Sequence, residues 1–472
     1  MSILVSTNQK DLQDINSNYI DKNKNFFVID ATLAQGMTSL STGAFLSAFA
    51  LYLGASYVVV GLLNALIPLA QILQIPATFL VERYPKRKFI ALFALTLSRV
   101  AVLFCGLIPI FFIKSQVLPI FFVLYVIYVS SANVGGCAFS TWFRDFFNPE
   151  TFYQVLTQRF IFATLLGAVA SFIGALGLEF IKNNHSQYML FGYSGVFTLA
   201  GILGLGSSIA IHNVRDLYNP FYEQSRSSHQ SYSFWKPFKE SLKNTYFRKT
   251  MIFCIIWNAI FNFANPFLPV FLMKRIGYSL LIIICLTVLN QFANVISFAY
   301  WKKFSTRYGN RSLLYLCIPI FFATVFSWFI SAELKNDIIQ WYLILFLHVI
   351  SGICVAGINL CLTNLIFSTT PRGKATAPLA LNSSLNGLVA GIAPILAGYI
   401  AEYGTVLQIP LSTYLHFMRI PLRLFFAPII QITGLDLVMI ISGVIGICSV
   451  IFIHFLIPVH VSAIPPYSSA QE

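Results

Sequence analysis

Apolar residues along this chain come in runs of about 20 or more, long enough to cross roughly 30 Å of hydrocarbon as a helix. Such runs fall near 26–54, 57–82, 89–112, 116–142, 159–181 and 188–211. Six more fall near 249–273, 278–300, 312–331, 338–367, 378–401 and 434–456. A backbone in lipid must satisfy its own N–H and C=O groups, so each run reads as a transmembrane helix. The pattern predicts an all-α membrane protein with twelve transmembrane helices. Polar stretches over 1–25, 212–248 and 457–472 then become an N-terminal tail, a linker between two sets of six helices (26–211 and 249–456), and a C-terminal tail.

Composition agrees: 57% of residues are hydrophobic and 10% are charged, where a soluble domain carries about a quarter charged residues. Residues 1–25 are mostly polar, and no apolar run with a small-residue cleavage site opens the chain, so no cleaved signal is expected. The eight cysteines sit singly inside apolar runs, as small buried hydrophobes with neither disulfide nor metal-ligand spacing. No metal and no cofactor are expected.

The net charge of +14 raises the question of a nucleic-acid partner, and the position of the basic residues answers it. With the N-terminus in the cytoplasm, the inside segments hold 22 of the 30 Lys and Arg and the outside loops seven. That split is the positive-inside bias of a chain with an even number of spans and both termini cytoplasmic. The charge therefore reports topology and contact with anionic lipid, and no nucleic acid is expected. The expected location is the plasma membrane, as a bacterial inner-membrane protein and a monomer.

The two halves match each other at a nearly fixed offset, the sign of an internal repeat. Glu82-Arg83-Tyr84-Pro85-Lys86-Arg87 aligns with Thr306-Arg307-Tyr308-Gly309-Asn310-Arg311. Pro149 aligns with Pro371, Gly54 with Gly277, Gln71 with Asn294, and Glu179 with Glu402. With these matches the chain resembles a transporter of the major facilitator superfamily over nearly all its length. That family's loop between spans 2 and 3 runs Gly-x-x-x-Asp-Arg-x-Gly-Arg/Lys-Arg-Arg/Lys. Here Arg83, Lys86, Arg87 and Lys88 match, while Thr78, Glu82 and Pro85 replace the first Gly, the Asp and the second Gly. The second copy keeps Arg307, Gly309 and Arg311 and departs at Lys302 and Thr306. Trp142-Phe143-Arg144-Asp145, followed by Arg159, also resembles a pattern in some bacterial members. The resemblance implies two pseudo-symmetric six-helix bundles around a central cavity that opens to each side in turn.

Asn and Gln are costly in hydrocarbon and should face protein or a wet cavity. Away from span ends they cluster in spans 1, 2, 4, 7, 8, 10 and 11 and are absent from 3, 5, 6, 9 and 12. The resemblance places 3, 6, 9 and 12 outside the cavity, which agrees, and span 5 inside it, which does not. The candidate solute-binding set is Gln35, Asn64, Gln71, Asn133, Asn258, Asn262, Asn290, Asn294, Asn359 and Asn386, with His348 beside them. Asn258 and Asn262, Asn290 and Asn294, and Asn382 and Asn386 each share a helix face. The plain alternative is interhelical hydrogen bonding, worth about 0.6 kcal/mol per contact.

Asp30, about one turn into span 1, is the candidate coupling residue, because a carboxyl in a low-dielectric cavity holds its proton more readily. Its plainer roles are a helix N-terminal acid or a partner for Arg99. His454 reads as structural. Glu82, Arg83, Lys86, Arg87, Arg144 and Asp145, with Arg307 and Arg311 in the second copy, form a candidate gate latch that pairs in one conformation only. A solvated charged face is its alternative. The stretch 402–433, amphiphilic through His416, Arg419 and Arg423, is expected as a helix lying in the outer interface.

The first reading is a secondary transporter of a small polar solute, neutral or zwitterionic, with the proton as candidate coupling ion and the bilayer as its other partner. No Gly-x-x-x-x-Gly-Lys-Ser/Thr loop suggests drive by a nucleotide. A polytopic enzyme acting on lipid-linked substrates needs carboxylates or histidines grouped at the membrane surface, and no loop offers them, so no catalysis is expected. A transporter-shaped sensor or lipid scramblase is the third reading.

Overall fold

The computed structural model describes residues 23–84, 86–147, 149–214, 239, 242–369, 376–404, 407–410 and 429–457. Each of the twelve apolar runs is helical over most of its length, and ten described helices are long and apolar enough to cross a membrane. Two departures account for the difference. The first run is broken, with one helix over 23–41 and another over Gly43–Tyr52, Gly43 adopting φ 59° between them. Runs eight and nine are continuous as Leu280–Ala332, 53 residues, about 80 Å at the helical rise.

That length cannot cross one bilayer straight, and Gly309 breaks it with φ 82° and ψ 158°. Asn290, nineteen residues before Gly309, donates to the His348 carbonyl at 2.8 Å. Trp328, nineteen residues after it, stands edge-on to the His348 ring at 4.8 Å. Both arms thus meet one residue of the helix Asp337–Ser368, and the element is a hairpin turning at a residue whose backbone only glycine adopts at little cost.

Packing divides the chain into two units, one within Met1–Thr42 and Pro76–Ser231, the other within Gly43–Ile75 and Tyr232–Glu472. In lipid, helices associate through close packing and polar contacts, since tails are as apolar as the side chains. The first unit follows that rule. Phe27, fully buried, is ringed by Phe139, Trp142, Phe143, Phe146 and Phe147 with centroids 5.1–6.0 Å away. Helices Arg87–Phe111 and Met189–Asn213 are joined by Thr96 to Ser208 at 3.1 Å and by Ser194 to the Gly106 carbonyl.

In the second unit, the helix Tyr57–Leu69 lies along Thr376–Tyr403 in a seam of glycines. A Cβ at Gly61 would overlap the Pro394 carbonyl, and one at Gly387 or Gly391 would run into Pro68, Gln71 or Leu69. Gly387 and Gly391 are one turn apart, the small-xxx-small spacing that lets membrane helices approach closely. The repeat is visible here as local geometry. Gly54 and Gly277 have φ 88° and 89°. Two residues on, Ser56 and Ser279 cap the next helices, accepting from the amides of Val59 and Ile282. Every member of one set is 223 positions from its counterpart.

Between the last two spans the expected interfacial helix is corrected in part. Leu407–Pro410 and Ile429–Ile432 form an antiparallel two-stranded ribbon, with Leu407 opposite Ile432. His416, Arg419 and Arg423 lie outside the described residues.

Candidate functional site

Asp30 lies seven residues into the first helix, 3% exposed, and it is shared by three partners from three other helices of its unit. Its Oδ1 accepts from Ser207 Oγ at 2.6 Å and from Arg99 Nη2 at 3.5 Å. Its Oδ2 accepts from Arg159 Nη1 at 3.3 Å. Arg99 Nη2 also donates to Ser207 Oγ at 2.8 Å, and Arg159 Nη1 to the Phe27 carbonyl at 2.6 Å. The Arg159 guanidinium lies over the rings of Phe139 and Phe143, 4.9 and 4.7 Å from their centroids. One carboxylate between two guanidiniums leaves the cluster with a formal excess of one positive charge. Nε and Nη1 of Arg99 are buried with no partner among the described residues.

Asp30 therefore has the Arg99 partner that the sequence offered as its plainer role, together with Arg159 and Ser207, which the sequence did not connect to it. Ser207 gave no signal, because serine in a membrane helix commonly bonds its own backbone.

Members of the amide set fall into four groups of contacts in the second unit. Asn258 Nδ2 donates to Asn386 Oδ1 at 3.1 Å across two helices. Asn262 donates back to the Asn258 carbonyl and Asn386 back to that of Asn382, at 2.9 and 2.8 Å. Asn382 Oδ1 is buried without a partner among the described residues, as is Thr250 Oγ1 on the helix Thr245–Ala264 that carries Asn258. Asn290 bonds Ser351 Oγ at 2.9 Å as well as the His348 carbonyl. The His348 imidazole, 4% exposed, has Nδ1 3.0 Å from the Ile344 carbonyl. Asn64 bonds Ser47 at 3.2 Å, and the backbone carbonyl of Gln71 accepts from Ser384 at 3.4 Å.

Other members stand apart from these groups. Asn294 is half-buried and Asn359 exposed. In the first unit, Asn133 bonds the Val129 carbonyl of its own helix, and the exposed Gln35 lies against Gly167.

Of the candidate latch, Arg83, Lys86, Arg144 and Arg307 are exposed and Arg87 is half-buried. The side chains of Glu82 and Asp145 lie outside the described residues. Lys88, the last basic residue of the motif, donates to the His212 carbonyl at 3.3 Å and to that of Val214, at the end of helix Met189–Asn213. Arg311 takes the same part in the second unit. It donates to the His454 carbonyl at 3.2 Å and meets His454 Nδ1 at 3.1 Å, at the end of the last helix. A cation against terminal carbonyls complements the helix dipole. The sequence match pairs Arg311 with Arg87, whereas the contact is made by Lys88, one residue on.

A second ionic group was not foreseen. Arg275 Nε donates to both carboxylate oxygens of Asp436, at 3.2 and 3.1 Å, and Arg275 Nη2 to Glu333. Asp436 is fully buried and also closes a capping box with Thr433. These three residues tie the ends of three helices of the second unit.

The family model of the Major Facilitator Superfamily matches residues 31–394. The chain belongs to that superfamily. Its members are secondary transporters that work by alternating access, and this chain is a multi-pass membrane protein of that kind. No curated protein is similar enough in sequence to match. Among solved structures, a mutant form of the nucleoside transporter NupG is similar at TM-score 0.68 and 12% identity, covering 92% of this chain and 100% of its own. A D-xylose-proton symporter is similar at TM-score 0.67 and 12% identity, covering 94% and 99%. A bacterial homolog of the human lysosomal transporter Spinster gives 0.60 and 14%, covering 93% and 96%. At these identities the likeness concerns the fold.

Proposed function

We propose that this transporter carries a small polar solute past the amide row of its second unit, and that it is a carrier and not an enzyme. The observation that carries the reading is Asn382. Its Oδ1 is a buried acceptor with no partner among the described residues, one turn from the Asn386–Asn258 pair. Leaving such an acceptor unpaired costs about 1–3 kcal/mol, which a hydroxyl or amine of a passing solute would recover. The similar nucleoside transporter and D-xylose-proton symporter have polar solutes in their names, which supports the same class here. The test is uptake of radiolabelled sugars, nucleosides and amino acids by proteoliposomes. Uptake of one class, with a raised half-saturation concentration in Asn382→Ala and in Asn258→Ala, is expected. Wild-type concentration dependence in both variants would remove the amide row from the path.

In this reading Asp30 is the coupling residue and the proton the coupling ion. A proton arriving on Asp30 would release Arg99 and Arg159 together. Asp30→Asn should then abolish pH-driven accumulation and leave downhill exchange, since exchange needs alternation but no proton transfer. Accumulation that survives in Asp30→Asn would pass the role to His348. The basic residues Arg83, Lys86, Arg87 and Arg144, with Glu82 and Asp145, serve as the gate of the first unit, and Arg307 and Arg311 as that of the second. The protein acts as a monomer with both termini on the cytoplasmic side of a bacterial inner membrane.

A further inference from the structure

In a planar guanidinium, Nε–H and one Nη2–H lie along one edge, which fits both oxygens of a carboxylate. Asp30 uses that edge of Arg99 at one point only. Its Oδ1 is at Nη2, while Oδ2 is turned to Arg159 and Nε is left buried and unpaired among the described residues. The arrangement is thus underbonded where burial makes it costly, on Arg99, because Arg159 draws Oδ2 away. Of the two arginines, Arg159 is also the more open. Its side chain is 15% exposed against 4% for Arg99, and its plane is fixed by Phe139 and Phe143.

We propose that Arg159 binds an anionic group of the transported solute, a carboxylate or a phosphate, in exchange for Asp30. The incoming oxyanion takes Asp30's place on Arg159. Oδ2, once released, turns to Arg99 Nε, and Asp30 then spans the whole edge of that guanidinium. Two cations then face two anions, and the formal excess charge of the buried cluster is removed. Binding is coupled to a rearrangement because the carboxylate leaves the helix Pro149–Asn184, which carries Arg159, for Arg87–Phe111, which carries Arg99. The inference rests on the transport reading and narrows its solute to one bearing an acid.

The test uses the purified full-length protein in uncharged detergent, with thermal melting followed at constant ionic strength. Inorganic phosphate or acetate should raise the Tm of the wild type to a plateau, and Arg159→Gln should lose the response. Arg159→Lys, which keeps the charge without the fork, should need roughly tenfold more anion, the weight of about one charge-assisted hydrogen bond. Asp30→Asn removes the competitor and should need roughly tenfold less. A purely structural ion pair would lower the Tm of Asp30→Asn and leave the anion response where it was, which overturns the proposal. A response to short-chain phosphatidylglycerol alone would assign Arg159 to a lipid headgroup and overturn it as well. If Asp30→Asn does not fold, equal responses in wild type and Arg159→Lys overturn it. Uptake of an uncharged solute by proteoliposomes, unchanged in Arg159→Gln, would sink this inference while leaving the transport reading intact.

Discussion

Asn258 and Asn386 were legible as face residues because each shares a four-residue spacing with another amide, Asn262 and Asn382. Their meeting at 3.1 Å was not, since nothing in either helix names its neighbour. If the pair only packs, a double-mutant cycle with Asn258→Ala and Asn386→Ala should return a coupling of about 0.6 kcal/mol in stability. A much larger coupling in the half-saturation concentration than in stability would mark both as solute contacts. Gly309 was visible as a motif residue, but its backbone role was hidden because the first copy has Pro85 at the matching position. Gly309→Ala forces a methyl into φ 82°, ψ 158° and should cost about 1–3 kcal/mol. An unchanged Tm in that variant would show that the turn relaxes.

At the scale of elements, long apolar runs announce helices because lipid allows little else, so the spans were readable and their interruptions were not. Thr42 and Gly43 break the first span inside an otherwise apolar run, and the ribbon at 407–410 and 429–432 is too short to show an alternation. The glycine seam between Tyr57–Leu69 and Thr376–Tyr403 has a consequence for alternating access. The Tyr57 amide donates to Glu402 Oε2 at 2.7 Å, placing a carboxylate at a helix N-terminus where the dipole favours it. Gly391→Val would wedge the seam against Leu69, so uptake should fall severalfold or more while the amount of folded protein in the membrane stays near that of the wild type. Full uptake would show that this seam need not close. The end contacts make a paired prediction. Lys88→Ala and Arg311→Ala should each cost about 0.3–1 kcal/mol, the usual worth of a cation at a helix C-terminus, and the two losses should add. Losses that do not add, in thermal melts of the double variant, would mean that the two caps are not independent.

For the whole molecule, the repeat found at five sequence positions reappears as matched geometry at Gly54 and Gly277 and at Ser56 and Ser279, because turn and cap residues are the ones a backbone cannot exchange freely. The buried cluster around Asp30 follows no such symmetry: Asp30 and Arg99 have Phe253 and Phe322 at the 223-residue offset, so this ionic site has no counterpart in the other half. Topology is open to direct measurement. Reporters placed after Glu472 and near Ser227 should both be cytoplasmic, and an external signal from either would break the even count of spans. The hairpin over Leu280–Ala332 also imposes an order on synthesis. A turn of a single residue leaves no tether between its arms, and Lys302, Lys303, Arg307 and Arg311 crowd its tip. On the proposed topology the basic tip stays on the side of the ribosome, and the first arm is threaded before the second has left the ribosomal tunnel. Gly309 is in that sense a point of timing during biogenesis as much as a bend in a finished helix.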